Sequence, residues 1–583
     1  MRSLGIYLKP YRAQSILAPL FKLLEALLDL LVPIVVAAMI DTGALGGSRR
    51  TVLLYFAALL GMAAVGLGFS VVAQFFAAKA SVGFAGGLRQ ALFDHIQTLS
   101  FPELDALGSD TLITRLTDDV NQVQTGLNLS LRLLLRSPFI VLGALVFSFT
   151  IDTRCALVFA VAIPVLFLVI LGIMLRSVPL FGKVQAGLDR VTALTRENLT
   201  GARVIRAFCR EDASVAEFAA SNEALTRLNL QVGKLSALMN PVTYVLINLA
   251  TVLLIRQAGL QVELGRLSQG QAVALYNYML QILVELIKLA TMVITLNKSV
   301  ACARRAASLF QVHPSMANGT APAPQAAPGT PAVTFEDVSF TYPSAGAPSL
   351  RNISFSAQPG QTVGIIGGTG SGKSTLAHLL CRFYDVSSGR VLLWGEDIRR
   401  YDQAALRRQI AVVPQQATLF SGTIRDNLRW GDQDAADEAL WQALTVAQAR
   451  QTVEDKPGGL DFVLEQGGRN LSGGQKQRLT IARALVRQPK LLVLDDSASA
   501  LDYATDAALR QALHQLHDTT VFVISQRIAS VRQADQILVL DGGALAGCGD
   551  HTALLAKCPV YQDIYRSQFT QDAVQQQGGK PHG

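Results

Sequence analysis

The chain has 583 residues, half of them apolar and only 16% charged, with a mean hydropathy of +0.34; this excludes a disordered or fibrous chain and points part of it toward lipid. Its formal charge of +8, from 51 Lys+Arg against 43 Asp+Glu, is too modest to mark a nucleic-acid binder and reads as charge flanking membrane spans. Six widely separated cysteines without a CxxC pair argue neither for a disulfide framework nor for zinc.

In chain order, an apolar stretch at 15–40 is followed by uncharged runs at 51–78, 137–151, 155–175, 235–255 and 267–284. Most are near the ~20 residues that cross a hydrocarbon core as a helix, and leucines before residue 137 extend the third. Six spans follow, at about 15–40, 51–79, 130–151, 155–176, 235–256 and 268–296, within a transmembrane domain over 1–312. The N-terminus lacks a convincing cleavage site, so the first stretch reads as a retained span. Lys9 and Arg12 precede it, and the connection between spans four and five carries Arg176, Lys183, Arg190, Arg196, Arg203, Arg206, Arg210, Arg227 and Lys234. The positive-inside rule therefore puts both long connections in the cytosol, although Arg49, Arg50, Arg154, Arg256 and Arg266 dilute the bias.

Span one also carries Lys22, Glu25 and Asp29, and span six carries Glu285 and Lys288. Charge inside a membrane is costly and suggests a function. Partners three or four residues apart can neutralise one another; alternatively Glu25 and Asp29 face a cavity and favour cationic cargo. From 313 to 332 no residue is formally charged, and five prolines and two glycines mark a linker. Beyond it, β-branched runs at 362–366, 410–413, 491–494 and 520–524 alternate with helical stretches, which predicts a parallel α/β sheet in a domain over 333–570. The polar segment 571–583 reads as a flexible tail.

The segment Gly367 to Ser374 fits G-x-x-x-x-G-K-[ST] between a strand and a helix. Glycines let backbone N–H groups close on phosphate oxygens, Lys373 reaches the β and γ phosphates, and Ser374 can ligate Mg²⁺. The run Leu491 to Asp496 ends in two carboxylates, one of which can hold Mg²⁺. In Leu471-Ser-Gly-Gly-Gln475, Ser472 and Gln475 satisfy a capping box, opening a helix with an apolar stripe of Leu479, Ala482, Leu485 and Val486. Such a helix start also binds anions.

That LSGGQ run, about twenty residues before Asp495 and about a hundred after the phosphate loop, resembles the signature of ATP-binding cassette (ABC) transporters. Spans, linker and cassette together resemble a half-transporter of the multidrug-exporter type over nearly the whole chain. The resemblance implies an all-α six-helix transmembrane domain with long cytosolic extensions, followed by an α/β P-loop ATP-binding cassette that uses ATP and Mg²⁺. It implies that Tyr342 stacks on adenine and that Gly367, Gly370, Gly372, Lys373, Ser374 and Thr375 bind ATP. Ser374, Gln415 and Asp495 would meet the metal, with Gln415 also near the attacking water. Ser472, Gly473, Gly474 and Gln475 would contact a nucleotide held by a second half-transporter, and Asp502 belongs to the loop by which two cassettes sense each other. Coupling helices are expected at 101–110 and near 202–212.

Two positions depart from the family. Asp496 stands where a catalytic Glu is usual, and Gln526 where a switch His is usual. A carboxylate withdrawn by one methylene loses part of the ~10²–10⁴-fold of general-base catalysis, and an amide cannot become cationic. The expectation is therefore a subunit of a heterodimeric exporter whose substrate the sequence does not identify, an amphipathic or drug-like one being one option, its own site weakened, its partner supplying Glu and His. The alternatives are a homodimeric, slow lipid or peptide flippase and an ATP-gated channel.

Overall fold

The computed structural model describes residues 2–46, 49–322, 329–343 and 345–577. It divides into two compact units, Met1–Gln97 with Ser109–Val312, and Thr98–Gly108 with His313–Gly583.

As the apolar runs predict, the described residues of the first unit include six helices long and apolar enough to cross a membrane: Leu4–Ala44, Arg49–Thr98, Ser109–Ile151, Thr153–Thr200, Glu211–Glu263 and Gln269–Leu309. Each is at least 41 residues, about twice the ~20 that a hydrocarbon core requires. The second helix shows how the surplus is used. Its apolar half exposes Leu53, Phe56, Leu60, Leu67, Val71 and Phe75, a surface suited to lipid. Its polar half buries Ala80, Phe84, Leu88, Leu92 and Ile96 at intervals of four, a single stripe against neighbouring helices. Helix ends follow local chemistry. Asp152, extended at φ −155°, accepts from Cys155 N at 2.7 Å and starts the fourth helix, while Ser268 and Gln271 form a capping box at the start of the sixth. The apolar core joins Ala26, Leu30, Ile140, Phe159, Leu254 and Ile282. Within it Tyr278 donates to Leu30 O at 2.6 Å.

The second unit carries a six-stranded sheet ordered β12-β11-β3-β10-β9-β6, where β3 is Thr362–Gly367, β6 Ile410–Val413, β9 Leu491–Asp495, β10 Thr520–Ile524, β11 Gln536–Asp541 and β12 Ala544–Gly549. All neighbours are parallel except β11 and β12. A second, antiparallel sheet orders β2-β1-β4-β5, with β1 Val333–Phe340, β2 Leu350–Ala357, β4 Ser388–Leu393 and β5 Glu396–Asp397, and β7 Gly422–Thr423 pairs antiparallel with β8 Val463–Leu464. Strand β9 is buried along its whole length, as expected for a parallel strand covered on both faces.

Two connecting segments are more ordered than their composition suggests. Phe101–Leu107 is a helix opened by a Ser100–Glu103 capping box and grouped with the cassette. Phe101 stacks on Phe383 at 4.3 Å, and Tyr384 donates to Asp105. In the linker 313–332, Met316 is buried, Ala321 N donates to Arg400 O at 2.9 Å, and Asp402 N donates to Ala321 O at 3.0 Å. The backbone groups of this uncharged stretch thus find partners on the cassette; residues 323–328 lie outside the described residues. In the segment read as a tail, the helix Pro559–Gln577 continues past residue 571, and residues 578–583 lie outside the described residues.

Candidate functional site: a nucleotide cavity

Parallel pairing aligns the strand ends. Ile524 of β10 pairs with Ile365 of β3 and with Asp495 of β9, and Val413 of β6 pairs with Leu494. The loops that follow these strands therefore leave from one edge, the carboxyl edge where parallel sheets bind ligands. There they enclose a cavity of about 390 Å³ lined by Gly370, Gly372, Lys373, Ser374, Thr375, Gln415, Asp495, Asp496 and Gln526, with Ser349, Thr369 and Ile524.

The phosphate loop turns between β3 and the helix Lys373–Leu380. Gly372 caps that helix at φ +98°, and a Cβ there would lie 2.6 Å from Leu350 Cδ2. Gly370 is also left-handed, at φ +78°; both positions demand glycine. Lys373 Nζ donates to Gly367 O at 2.9 Å and Gly368 O at 2.6 Å, so the ammonium is held at the loop. Ser374 Oγ donates to Asp495 Oδ1 at 3.2 Å, and Gln415 Nε2 lies 3.4 Å from Asp496 Oδ2.

The electrostatics follow from burial. Desolvation pushes the Asp495 carboxyl up, opposed by the Ser374 hydroxyl, His378 and Lys373. Asp496 is pushed up by burial and by Asp495, opposed by Arg527, Lys373 and Gln415. Burial lowers Lys373, which the two carboxylates partly restore. One lysine beside two carboxylates provides an anion-binding pole next to a cation-binding one. Asp496 has φ +44°, a left-handed conformation that Asp tolerates better than most residues; its N–H donates to Ile524 O at 2.9 Å.

The remaining sequence-predicted residues lie around or away from this cavity. Gly367 closes β3 behind the loop. Tyr342 Oη lies 3.3 Å from Thr375 Oγ1 and 3.1 Å from His378 Nδ1, and its ring meets Phe340 and Tyr384 edge-on. Ser472, Gly473, Gly474 and Gln475 open the helix Gly473–Val486, outside the cavity. Ser472 Oγ accepts from Gln475 N at 3.3 Å and Ser472 N donates to Gln475 Oε1 at 3.0 Å, the capping box in full. Asp502 caps the helix Tyr503–Leu513 by accepting from Thr505 N at 3.2 Å. Sequence reasoning missed the link from Tyr342 through Tyr384 to Asp105. The aromatic run Phe383-Tyr384 is its one trace in the sequence.

Residues 15–286 match the family described as ABC transporter transmembrane region, and residues 350–499 match the family described as ABC transporter. The chain is 37% identical to an uncharacterized ABC transporter ATP-binding protein of Mycobacterium tuberculosis, over 96% of this chain and 97% of that protein. It is 31% identical to an ATP-dependent lipid A-core flippase of Syntrophus aciditrophicus, over 85% of this chain and 82% of that protein. Among solved structures it is similar to a bacterial Atm1-family ABC exporter with ATP bound, at a TM-score of 0.79 and 26% identity, covering 96% of this chain and 98% of that one.

Proposed function

The chain belongs to the ABC transporter family, and from that premise we propose that this multi-pass membrane half-exporter, with its ATP-binding unit in the cytosol, pairs with a different chain and has a slow nucleotide site of its own. The observation that carries the reading is an asymmetry. Asp496 and Gln526 both line the nucleotide cavity where the family has Glu and His, while the helix start at Ser472 is fully capped.

In this reading each ATP lies between the phosphate loop of one chain and the Ser472–Gln475 helix start of the other. Backbone N–H groups of the loop and Lys373 hold the phosphates, and Tyr342 supports the base. The side-chain oxygens of Ser374 and Asp495, 3.2 Å apart, suit a hard cation, so with Gln415 they would hold Mg²⁺. When bound, that ion neutralises phosphate charge. Asp496 is left to orient water with a carboxylate that sits against the Gln415 amide, one methylene short of the usual reach. Gln526 can donate to phosphate but adds no positive charge. The partner's Glu and His, acting with Ser472–Gln475 of this chain, provide the faster site. ATP-driven closure would reach the spans through Phe101–Leu107, seated on the cassette at Phe383 and Tyr384, and through the short helix Ala202–Ala207.

The lipid A-core flippase relative favours one second reading, a homodimeric lipid flippase with slow turnover. The double substitution Asp496→Glu with Gln526→His separates the two. With a different partner, it accelerates hydrolysis chiefly in the assembled pair; in a homodimer, it accelerates the chain alone by a large factor. A strong gain in the chain alone would reject the heterodimer.

A further inference from the structure

Six charges from the first, third and sixth membrane helices form one chain of contacts. Lys22 Nζ donates to Glu25 Oε2 at 2.5 Å and to Ser70 Oγ at 3.1 Å. Arg136 lies 3.9 Å from Glu25, 2.8 Å from Asp29 and 3.1 Å from Glu285. Glu285 also accepts from Lys288 at 2.8 Å and from Ser137 at 2.6 Å. The local pairs foreseen at Lys22–Glu25 and Glu285–Lys288 are present, and Arg136 links them through Asp29 and Glu285. Three acids balance three bases, so Glu25 and Asp29 are not a free anionic lure for cationic cargo.

Exposure separates the members. The side chains of Lys22, Glu25, Arg136 and Glu285 are 14% exposed or less, whereas Asp29 is 43% and Lys288 41% exposed. An acid and a base are thus presented by different helices, joined beneath by Arg136 and Glu285. Beside the acid, Gln281 donates from Nε2 to Asp29 O at 3.1 Å, while its Oε1 is buried with no hydrogen-bond partner among the described residues. Exposed Leu24, Leu27 and Val284 flank the cluster on the same helices.

A ligand of single charge would leave this neutral, largely desolvated network with an uncompensated ion, which is costly away from water. A ligand carrying both signs would not. We propose that Asp29 and Lys288 are the two poles of a binding site for a zwitterionic amphiphile. Its ammonium meets Asp29, its phosphate meets Lys288, and its tail lies along the flanking leucines. The site is the headgroup subsite of an exporter's cargo path, and so rests on the export reading above.

The test is binding without nucleotide, on the full-length protein in detergent, by fluorescence anisotropy of labelled phosphatidylethanolamine, phosphatidylglycerol and a trimethylammonium lipid with matched tails. The wild type should prefer the zwitterion by about tenfold or more, a free-energy difference near 1.4 kcal/mol. Asp29→Asn should shift preference toward phosphatidylglycerol and Lys288→Gln toward the cationic lipid, while Lys288→Arg restores the wild-type order. Thermal unfolding of each variant shows whether a loss reflects misfolding, and the opposite directions of the two shifts cannot arise from misfolding. Equal affinity of the wild type for all three lipids, or shifts in one common direction, overturns the site. Free phosphoethanolamine should fail to displace the lipid; competition at equal concentration overturns the amphiphile. Failure of the export reading has a different signature, ATP that moves no lipid across reconstituted vesicles while the binding order persists.

Discussion

The nucleotide cavity and the membrane charge cluster are both polar sites with buried ions, but they are built in opposite ways. The cavity is assembled from loops at the ends of adjacent parallel strands, and its glycine-rich part is one contiguous segment from Gly367 to Thr375. The cluster takes single residues from three helices, with Arg136 separated from Glu285 by 149 positions. Where backbone geometry makes the site, the chemistry is written locally, in glycines that only one turn requires. Where packing makes the site, each residue looks like an isolated exception in an apolar run.

That contrast can be broken most forcefully at Glu285. Replacing it with Ala removes the buried carboxylate that joins Arg136 to Lys288, leaving Arg136 only Asp29 and Glu25 and Lys288 without its acid; loss of one partner of a buried pair costs up to about 3–5 kcal/mol. A fall in the unfolding temperature of the membrane unit is expected, with ATP affinity unchanged. An unchanged melting temperature would show that the cluster is not energetically coupled.

At the cassette, Gly473→Asp places a carboxylate where nothing lies within 4 Å, so folding should survive while the helix start repels phosphate. Steady-state hydrolysis by the assembled transporter should drop ~10²–10³-fold, the scale of losing an anion-stabilising group. Nucleotide titration of this chain's own loop should be unaltered.

A smaller effect belongs to Gly372→Ala, which combines φ +98° with a clash on Leu350. A cost of about 1–3 kcal/mol and weakened ATP binding should appear in melts with and without nucleotide. Least of all, Ser268→Ala removes the sixth helix cap for about 1 kcal/mol; a calorimetric loss well above that would mean its contact with Asp41 matters more than the cap.

These scales match what the sequence discloses. Apolar runs and strand patterns foretell six long helices and a parallel sheet, because burial period and length are local properties. The phosphate loop and the Ser472 capping box are equally legible, each being a short backbone motif. Arg136 stands in the sequence as one charge beside a leucine run, and nothing local says which carboxylates it faces. The contact of Asp105 with Tyr384 joins residues 279 positions apart, and composition alone marked 313–332 as a linker although Ala321 pairs with the cassette.

The central claim is that efficient hydrolysis is shared between two unlike subunits. Its most direct test is the ATP turnover of this chain purified alone in lipid, compared with the same chain reassembled with a half-transporter recovered from its native membrane. Slow turnover alone and at least tenfold faster turnover in the pair are predicted. Rapid, cargo-stimulated hydrolysis by copies of this chain alone would contradict it.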